Sequence, residues 1–168
     1  MELKELITKI EQWAIDRELD KKATVEAQAI KTAEEMAELI IGISKDNIEV
    51  IKDSIGDVFV TLVIGNMVDN NFNLEKMCIS CADIISCLEL QTSKIIVTCD
   101  LGKNIAQITS GGYGPFGVDM TIRSLLLAVQ YYNLDFIDCV QSAYNEIKDR
   151  KGVTKNGQFI KEADLRRK

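Results

Sequence analysis

The sequence contains no histidine. That absence removes the zinc sites built on imidazole, the Glu-x-x-His di-iron bundle and every hydrolase that activates serine or cysteine through histidine. Positive charge is also short. Lys and Arg number 20 against 26 Asp and Glu, a net charge of -6 with a pI near 4.8. A broad nucleic-acid or membrane-surface footprint needs a positive field, so neither partner is expected. An anionic ligand would need a metal or a local basic patch. No stretch approaches the roughly 18 uninterrupted apolar residues of a membrane span. The opening Met1-Glu2-Leu3-Lys4-Glu5 lacks the pattern of a secretory leader. A cytoplasmic protein is therefore expected. Five cysteines (78, 81, 87, 99 and 139) cannot all pair, and most fall in apolar helical stretches, which fits reduced, buried thiols. Cys78 and Cys81 form a C-x-x-C without a second pair at matching spacing, which favours buried thiols over zinc or redox work.

What the chain does have is helical periodicity. With 168 residues and 46% apolar content it suits one compact all-α domain. Leu3, Leu6, Ile10 and Trp13 predict an amphipathic helix over about 2–18, followed by a polar connection from Leu19 to Thr24. Thr24, with Ala27 and Gln28 after it, is placed to cap a second helix reaching about Ile43. A third is predicted over about 47–69, then a loop at Asp69-Asn70-Asn71-Phe72-Asn73 and a helix over about 74–90. Further helices are predicted over about 118–132 and 134–149, with Gly152 as the stop. Asn156-Gly157 between short β-compatible runs predicts a terminal hairpin, and Leu165 to Lys168 read as a solvated tail. Residues 112–117 contain a literal G-x-G-x-x-G. No strand precedes it, so it reads as a flexible connection or a substrate-covering loop, not a dinucleotide fingerprint. Asn104-Ile105-Ala106-Gln107-Ile108 can be laid over Glu35-Met36-Ala37-Glu38-Leu39. Tyr132-Asn133-Leu134-Asp135 similarly echoes Phe72-Asn73-Leu74-Glu75. A decayed internal duplication is expected from this, one copy chemical and the other structural.

The chemistry concentrates in residues 28–57. Gln28, Lys31, Glu35 and Glu38 step by three, four and three, which stacks them into one polar stripe on a helix. The packing face is expected on Val25, Ile30, Ala33, Ala37 and Ile41. In the next helix Asp57 lies inside the apolar run Ile55 to Ile64, with Asp53 one turn earlier. A carboxylate there is costly to bury unless a cation or hydrogen bonds replace water. Two antiparallel helices can bring these carboxylates to one point, and oxygen ligands without imidazole or thiolate select Mg²⁺ or Mn²⁺. Metal-assisted phosphate chemistry follows.

Four stretches together resemble the MazG-like all-α nucleoside triphosphate pyrophosphohydrolases, particularly small phage-type members. They are Gln12-Trp13-Ala14-x-Asp16-Arg17-x-Leu19; Gln28-x-x-Lys31-x-x-Glu34-Glu35-x-x-Glu38-Leu39; Asp53-Ser54-Ile55-Gly56-Asp57; and Ala143 through Gly152. The resemblance covers residues 1 to about 70 and 134 to 165. It implies catalytic helices in 1–70, inserted or duplicated helices in 74–133, as in the related dimeric dUTPases, and a phosphate-contacting helix in 134–152. It also implies hydrolysis of a (deoxy)nucleoside triphosphate to the monophosphate and pyrophosphate, with Mg²⁺ on the family's E-x-x-E and E-x-x-D pairs. Glu35 and Glu38 match the first pair and Asp57 the aspartate of the second. Ser54 stands where the remaining glutamate belongs, so that Asp53 substitutes from the adjacent position, Ser54 binds through water, or the site is weakened. Glu34, Glu35 and Glu38 are candidate proton acceptors. Asn145 and Lys148, with Arg150 or Lys151, are the implied phosphate contacts. Lys31 is to offset phosphate charge and Gln28 to face the substrate, while Trp13 is either core or a wall for the base. A homodimer or homotetramer is expected. The alternative from another class is a catalytically lapsed helical nucleotide-binding or assembly protein.

Overall fold

The computed structural model describes residues 1–69, 72–87 and 92–165. Along them run α1 (Leu3–Ile15), α2 (Leu19–Lys22), α3 (Val25–Ser44), α4 (Ile48–Asp69), α5 (Leu74–Cys87), α6 (Lys94–Gly111), α7 (Pro115–Tyr132), α8 (Phe136–Ile147), the strands β1 (Gly152–Lys155) and β2 (Gln158–Lys161), and α9 (Glu162–Leu165). The all-α expectation holds, with the two-stranded hairpin as its one predicted exception. Among the described residues no helix is long and apolar enough to cross a membrane.

Helix α4 is the centre. Every residue from Val58 to Asn66 is buried, so it is apolar on all sides and must be surrounded by other helices. It packs against α3 and α8, with α1, α2 and α7 completing the shell. The α4–α8 approach is backbone to backbone: a Cβ at Gly56 would lie 2.3 Å from the Cys139 carbonyl oxygen and 2.7 Å from Ala143 Cβ. Helix α3 also packs on α6, α6 on α7, and α5 on α7. Exchanging α3 with α6, α4 with α7 and α5 with α8 leaves these principal pairings unchanged.

Local signals end the elements as their chemistry predicts. Thr24 Oγ1 accepts from the Ala27 N–H at 3.2 Å and starts α3. Asp135 Oδ1 accepts from the Asp138 N–H at 2.9 Å and starts α8, while Asn133 ends α7 in the left-handed region. The hairpin has the expected turn. Asn156 and Gly157 both have positive φ, as a two-residue turn of primed type requires, and Lys155 pairs with Gln158.

Four expectations change. Leu19 to Lys22 is a helical turn, not a polar connection, because Leu19 is buried. The segment at 112–114 is neither a flexible connection nor a covering loop. Tyr113 is fully buried, its ring takes the space left by Gly65, its hydroxyl hydrogen-bonds Thr32 Oγ1 at 2.6 Å, and its N–H donates to Asp69 at 2.9 Å. Helix α8 ends at Ile147, and Gly152 opens β1 instead of stopping the helix. The α3 packing face is rotated. Ile30 and Ile41 are about half exposed and Ala37 is exposed, whereas Ala27, Gln28, Ala29, Thr32, Glu35, Met36, Leu39 and Ile43 are buried. Helix α3 is held by α4 and α6 together, so the inward arc is wider than one apolar stripe and takes in polar groups. Of the predicted loop, residues 70 and 71 lie outside the described residues, as do residues 88–90 of the predicted helix end and residues 166–168 of the tail.

Candidate active site

A cavity of about 120 Å³ opens where α1, α3, α4, the end of α8 and the hairpin meet. Helix α4 supplies Asp57, Val60, Thr61 and Ile64, spaced by three, one and three, so they share one face. Helix α3 contributes Gln28, Lys31 and Glu35, and α1 contributes Trp13. Ile147 and Arg150 come from the end of α8, and Gln158, Phe159 and Lys161 from β2.

The electrostatics centre on Asp57. Burial first, and then the charges of Glu35 and Asp53, raise its carboxyl to about 7, with Glu146 adding to the rise and Arg150 opposing it. Asp53 is also raised, by burial and then by the charge and hydrogen bond of Glu146. Glu35 is buried and its Oε1 lies 2.7 Å from Lys31 Nζ, which also reaches Glu34 at 3.0 Å. Burial works to lower the Lys31 pKa, but the hydrogen bonds and charges of Glu35 and Glu34 outweigh it and leave it raised.

The cationic side is held by a brace. Arg17 donates from Nε and Nη2 to the Arg150 carbonyl, at 3.1 and 2.6 Å, and from Nη1 to the Trp13 carbonyl at 3.0 Å. Its guanidinium also lies over the Trp13 ring, 4.4 Å from the centroid. The indole N–H of Trp13 donates to the Ile147 carbonyl at 2.7 Å. These bonds satisfy carbonyls left open at the end of α8 and direct the chain toward the hairpin.

Of the residues singled out by sequence, Trp13, Gln28, Lys31, Glu35, Asp57 and Arg150 are brought to one cavity. Asp53 lies one turn from Asp57, on the side facing Glu146, in a groove with Glu49, Lys52 and Ser142. Glu34 and Glu38 are exposed and off the cavity wall, Glu34 paired with Lys31. Ser54 is buried away from the cavity, so a role through water in this cavity is not available to it. Asn145 and Lys148 are not brought in either. They are exposed and hydrogen-bonded to each other at 3.4 Å, because Ile147 takes the inward position and Asn145, two residues earlier, lies roughly 200° around the helix from it. Lys151 is exposed as well. Trp13 is a core residue that also lines the cavity.

Sequence reasoning missed Arg17 as a brace, Thr61 and Ile64 as lining, Glu146 as a partner of Asp53, and the whole β2 contribution. Thr61 was findable, being one turn from Asp57. Gln158, Phe159 and Lys161 carry no local signal beyond strand alternation.

Among the described residues no group of three carboxylates or thiolates is gathered as a ready-made metal site. The donor set nonetheless suits a hard divalent ion. Glu35 and Asp57 are carboxylates repelling one another in a partly buried place, which a cation would relieve. Mg²⁺ is typically bound through one or two carboxylates with substrate phosphates completing its shell, not in an all-protein cage.

No protein-family profile and no solved structure matches the chain. It is similar to the uncharacterized 18.2 kDa protein in the rep-hol intergenic region of Haemophilus phage HP1. The two are 37% identical over 161 residues, covering 84% of this chain and 98% of the phage protein.

Proposed function

This chain belongs to the family of the uncharacterized 18.2 kDa phage HP1 protein, and we propose that it is a MazG-like, divalent-metal-dependent pyrophosphohydrolase of a (deoxy)nucleoside triphosphate, acting in a host cytoplasm. One observation carries the reading: a single cavity combines the carboxylates Glu35 and Asp57 with the cations Lys31, Arg150 and Lys161 and with the aromatic rings of Trp13 and Phe159. Glu35 and Asp57 would hold Mg²⁺ or Mn²⁺, which supplies neutralisation of triphosphate charge, and Asp53 supports them from the next turn. Lys31, Arg150 and Lys161 offset the remaining phosphate charge. The apolar wall of Val60 and Ile64 lowers the local dielectric and strengthens those interactions. In the reaction a water oxygen bonds to the α-phosphorus in line with the bridging oxygen to the β-phosphorus. That second bond breaks and pyrophosphate leaves. The proton goes to Glu35, the one of the three candidates Glu34, Glu35 and Glu38 that lines the cavity.

A panel of nucleoside triphosphates with Mg²⁺ should release pyrophosphate, and release of orthophosphate alone would contradict the assignment. Glu35→Gln should lose at least the roughly 10–100-fold typical of disturbing a metal site's outer shell. The second reading, a lapsed nucleotide-binding or assembly protein, is favoured by the positions of Ser54 and Glu38, which leave Glu35 and Asp57 as the carboxylates of the cavity wall among the described residues. Calorimetry separates the two, since binding without turnover or metal dependence supports the second. The pairing symmetry of α3–α4–α5 with α6–α7–α8 supports a duplicated helical unit whose first copy keeps the carboxylates. In the second, Asn104 donates to Ser124 Oγ at 2.9 Å as a packing bond. The exposed row Ile30, Ala37 and Ile41 supports a homodimer or homotetramer.

A further inference from the structure

We infer that the C-terminal hairpin is the base-selecting element of this site: Phe159 and Gln158 complete, with Trp13 and Gln28, a slot for a nucleobase. The inference rests on the pyrophosphohydrolase reading and adds to it a residue-level account of what the nucleoside contacts.

The cavity wall divides by chemistry. Glu35, Asp57 and the cations account for phosphate and metal, but Trp13, Val60, Ile64, Ile147 and Phe159 have no use for an anion. A triphosphate would not enter an apolar end that cannot replace its water, whereas a flat heterocycle gains by stacking there. The size agrees. About 120 Å³ is of the order of the roughly 150 Å³ apolar cavity known to take up benzene, so it holds one ring system and leaves the phosphates at the charged mouth.

The rings are prepared for this. Trp13 and Phe159 meet edge to face with centroids 5.3 Å apart at 68°. Trp13 has its N–H occupied by the Ile147 carbonyl and Arg17 over its ring, so it is fixed before any ligand arrives. Phe159 is fixed from the other side, since Thr154 across the strand pair donates to the Arg17 carbonyl at 2.6 Å.

Two primary amides flank the rings. Gln28 Nε2 reaches the Gly157 carbonyl and Gln158 Nε2 reaches the Ala27 carbonyl, each at 3.5 Å, the outer limit of a hydrogen bond. Each amide therefore has donor and acceptor capacity to exchange for the edge of a base. Because Gln28 sits on α3 and Gln158 on β2, they approach a bound ring from two elements, and β2, unlike α3, carries none of the proposed metal-holding carboxylates.

The test uses the intrinsic fluorescence of Trp13, the single tryptophan. Full-length protein with Mg²⁺ is titrated with each of the four common dNTPs and with inorganic tripolyphosphate, and turnover is measured in parallel. Phe159→Leu, which keeps an apolar side chain but removes the π face, should weaken nucleotides about tenfold, the loss of one stack, and leave tripolyphosphate within about twofold. Phe159→Tyr should restore nucleotide affinity. Gln158→Glu, which removes the amide donor, should change the rank order of the bases. Equal weakening of nucleotide and tripolyphosphate, or an unchanged rank order in Gln158→Glu, overturns the inference while wild-type turnover leaves the pyrophosphohydrolase reading standing. Base-dependent quenching without any pyrophosphate release would instead sink that reading and keep the slot. Wild-type protein that neither turns over nor responds to any nucleotide overturns both.

Discussion

Asp57 is a carboxylate whose ordinary value of 3.8 is moved to about 7, chiefly by burial and by Glu35 and Asp53. A raised acid is favoured protonated in the fold. Its contribution is therefore fully present below about pH 4 and is lost as pH rises through about 7. At pH 8 without a divalent ion its ionised form costs on the order of a few kcal/mol. Asp57→Asn should thus raise the melting temperature of the metal-free protein at pH 8 and flatten its decline between pH 4 and 7, while abolishing turnover. Added Mg²⁺ should stabilise the wild type above pH 7 and not the variant. Thermal melts across pH, with chelator or Mg²⁺, read both effects. Much of this was legible in the sequence, because an Asp inside Ile55 to Ile64 announces a desolvated charge. Which partners it meets was not. Glu146 and Arg150 stand 89 and 93 residues further along the chain, in and just beyond α8, and no local spacing encodes that approach.

At the scale of elements, the α4–α8 contact orders the site, since it sets Arg150 and Glu146 beside Asp57 and Asp53. Gly56 makes the approach possible, and an added methyl would meet backbone, which cannot swing away. Gly56→Ala should cost about 3 kcal/mol and lower activity together with stability, measured by denaturant unfolding and by initial rates. Helices α1, α3, α4, α5, α7 and α8, the Thr24 cap and the Asn156-Gly157 turn were readable because periodicity, caps and turns are set within a few residues, whereas α6 was not predicted. The rotation of α3 was not readable. Its apolar row and its polar row are both plausible inward faces, and the choice depends on whether α4 alone or α4 and α6 together cover the helix. Tyr113 makes the same point: a glycine-rich stretch looks loose in sequence until a buried hydroxyl and a cavity at Gly65 lock it.

For the molecule as a whole, the misassigned face of α3 becomes informative. Ile30, Ala37 and Ile41 recur along one exposed stripe, which a lone chain gains nothing by leaving in water. Ile30→Glu with Ile41→Glu should shift the protein to monomer by light scattering without lowering its melting temperature beyond the loss of association. A monomeric wild type of unchanged mass would remove the self-association proposal.

The carboxylate stripe with which the chemistry began is half of the cavity. The sequence alone determined that the chain is mainly helical, that Asn156-Gly157 turns a hairpin, and that Glu35 and Asp57 are carboxylates set among apolar residues with no imidazole in the chain. Those are local or compositional properties, decided within one or two helical turns. Only the tertiary structure decided that Arg150 and β2 close the cavity, that Asn145 and Lys148 stay in solvent, and that Glu38 and Ser54 lie outside it. A side chain's direction is fixed by which neighbours compete for its helix, and those neighbours are distant in the chain.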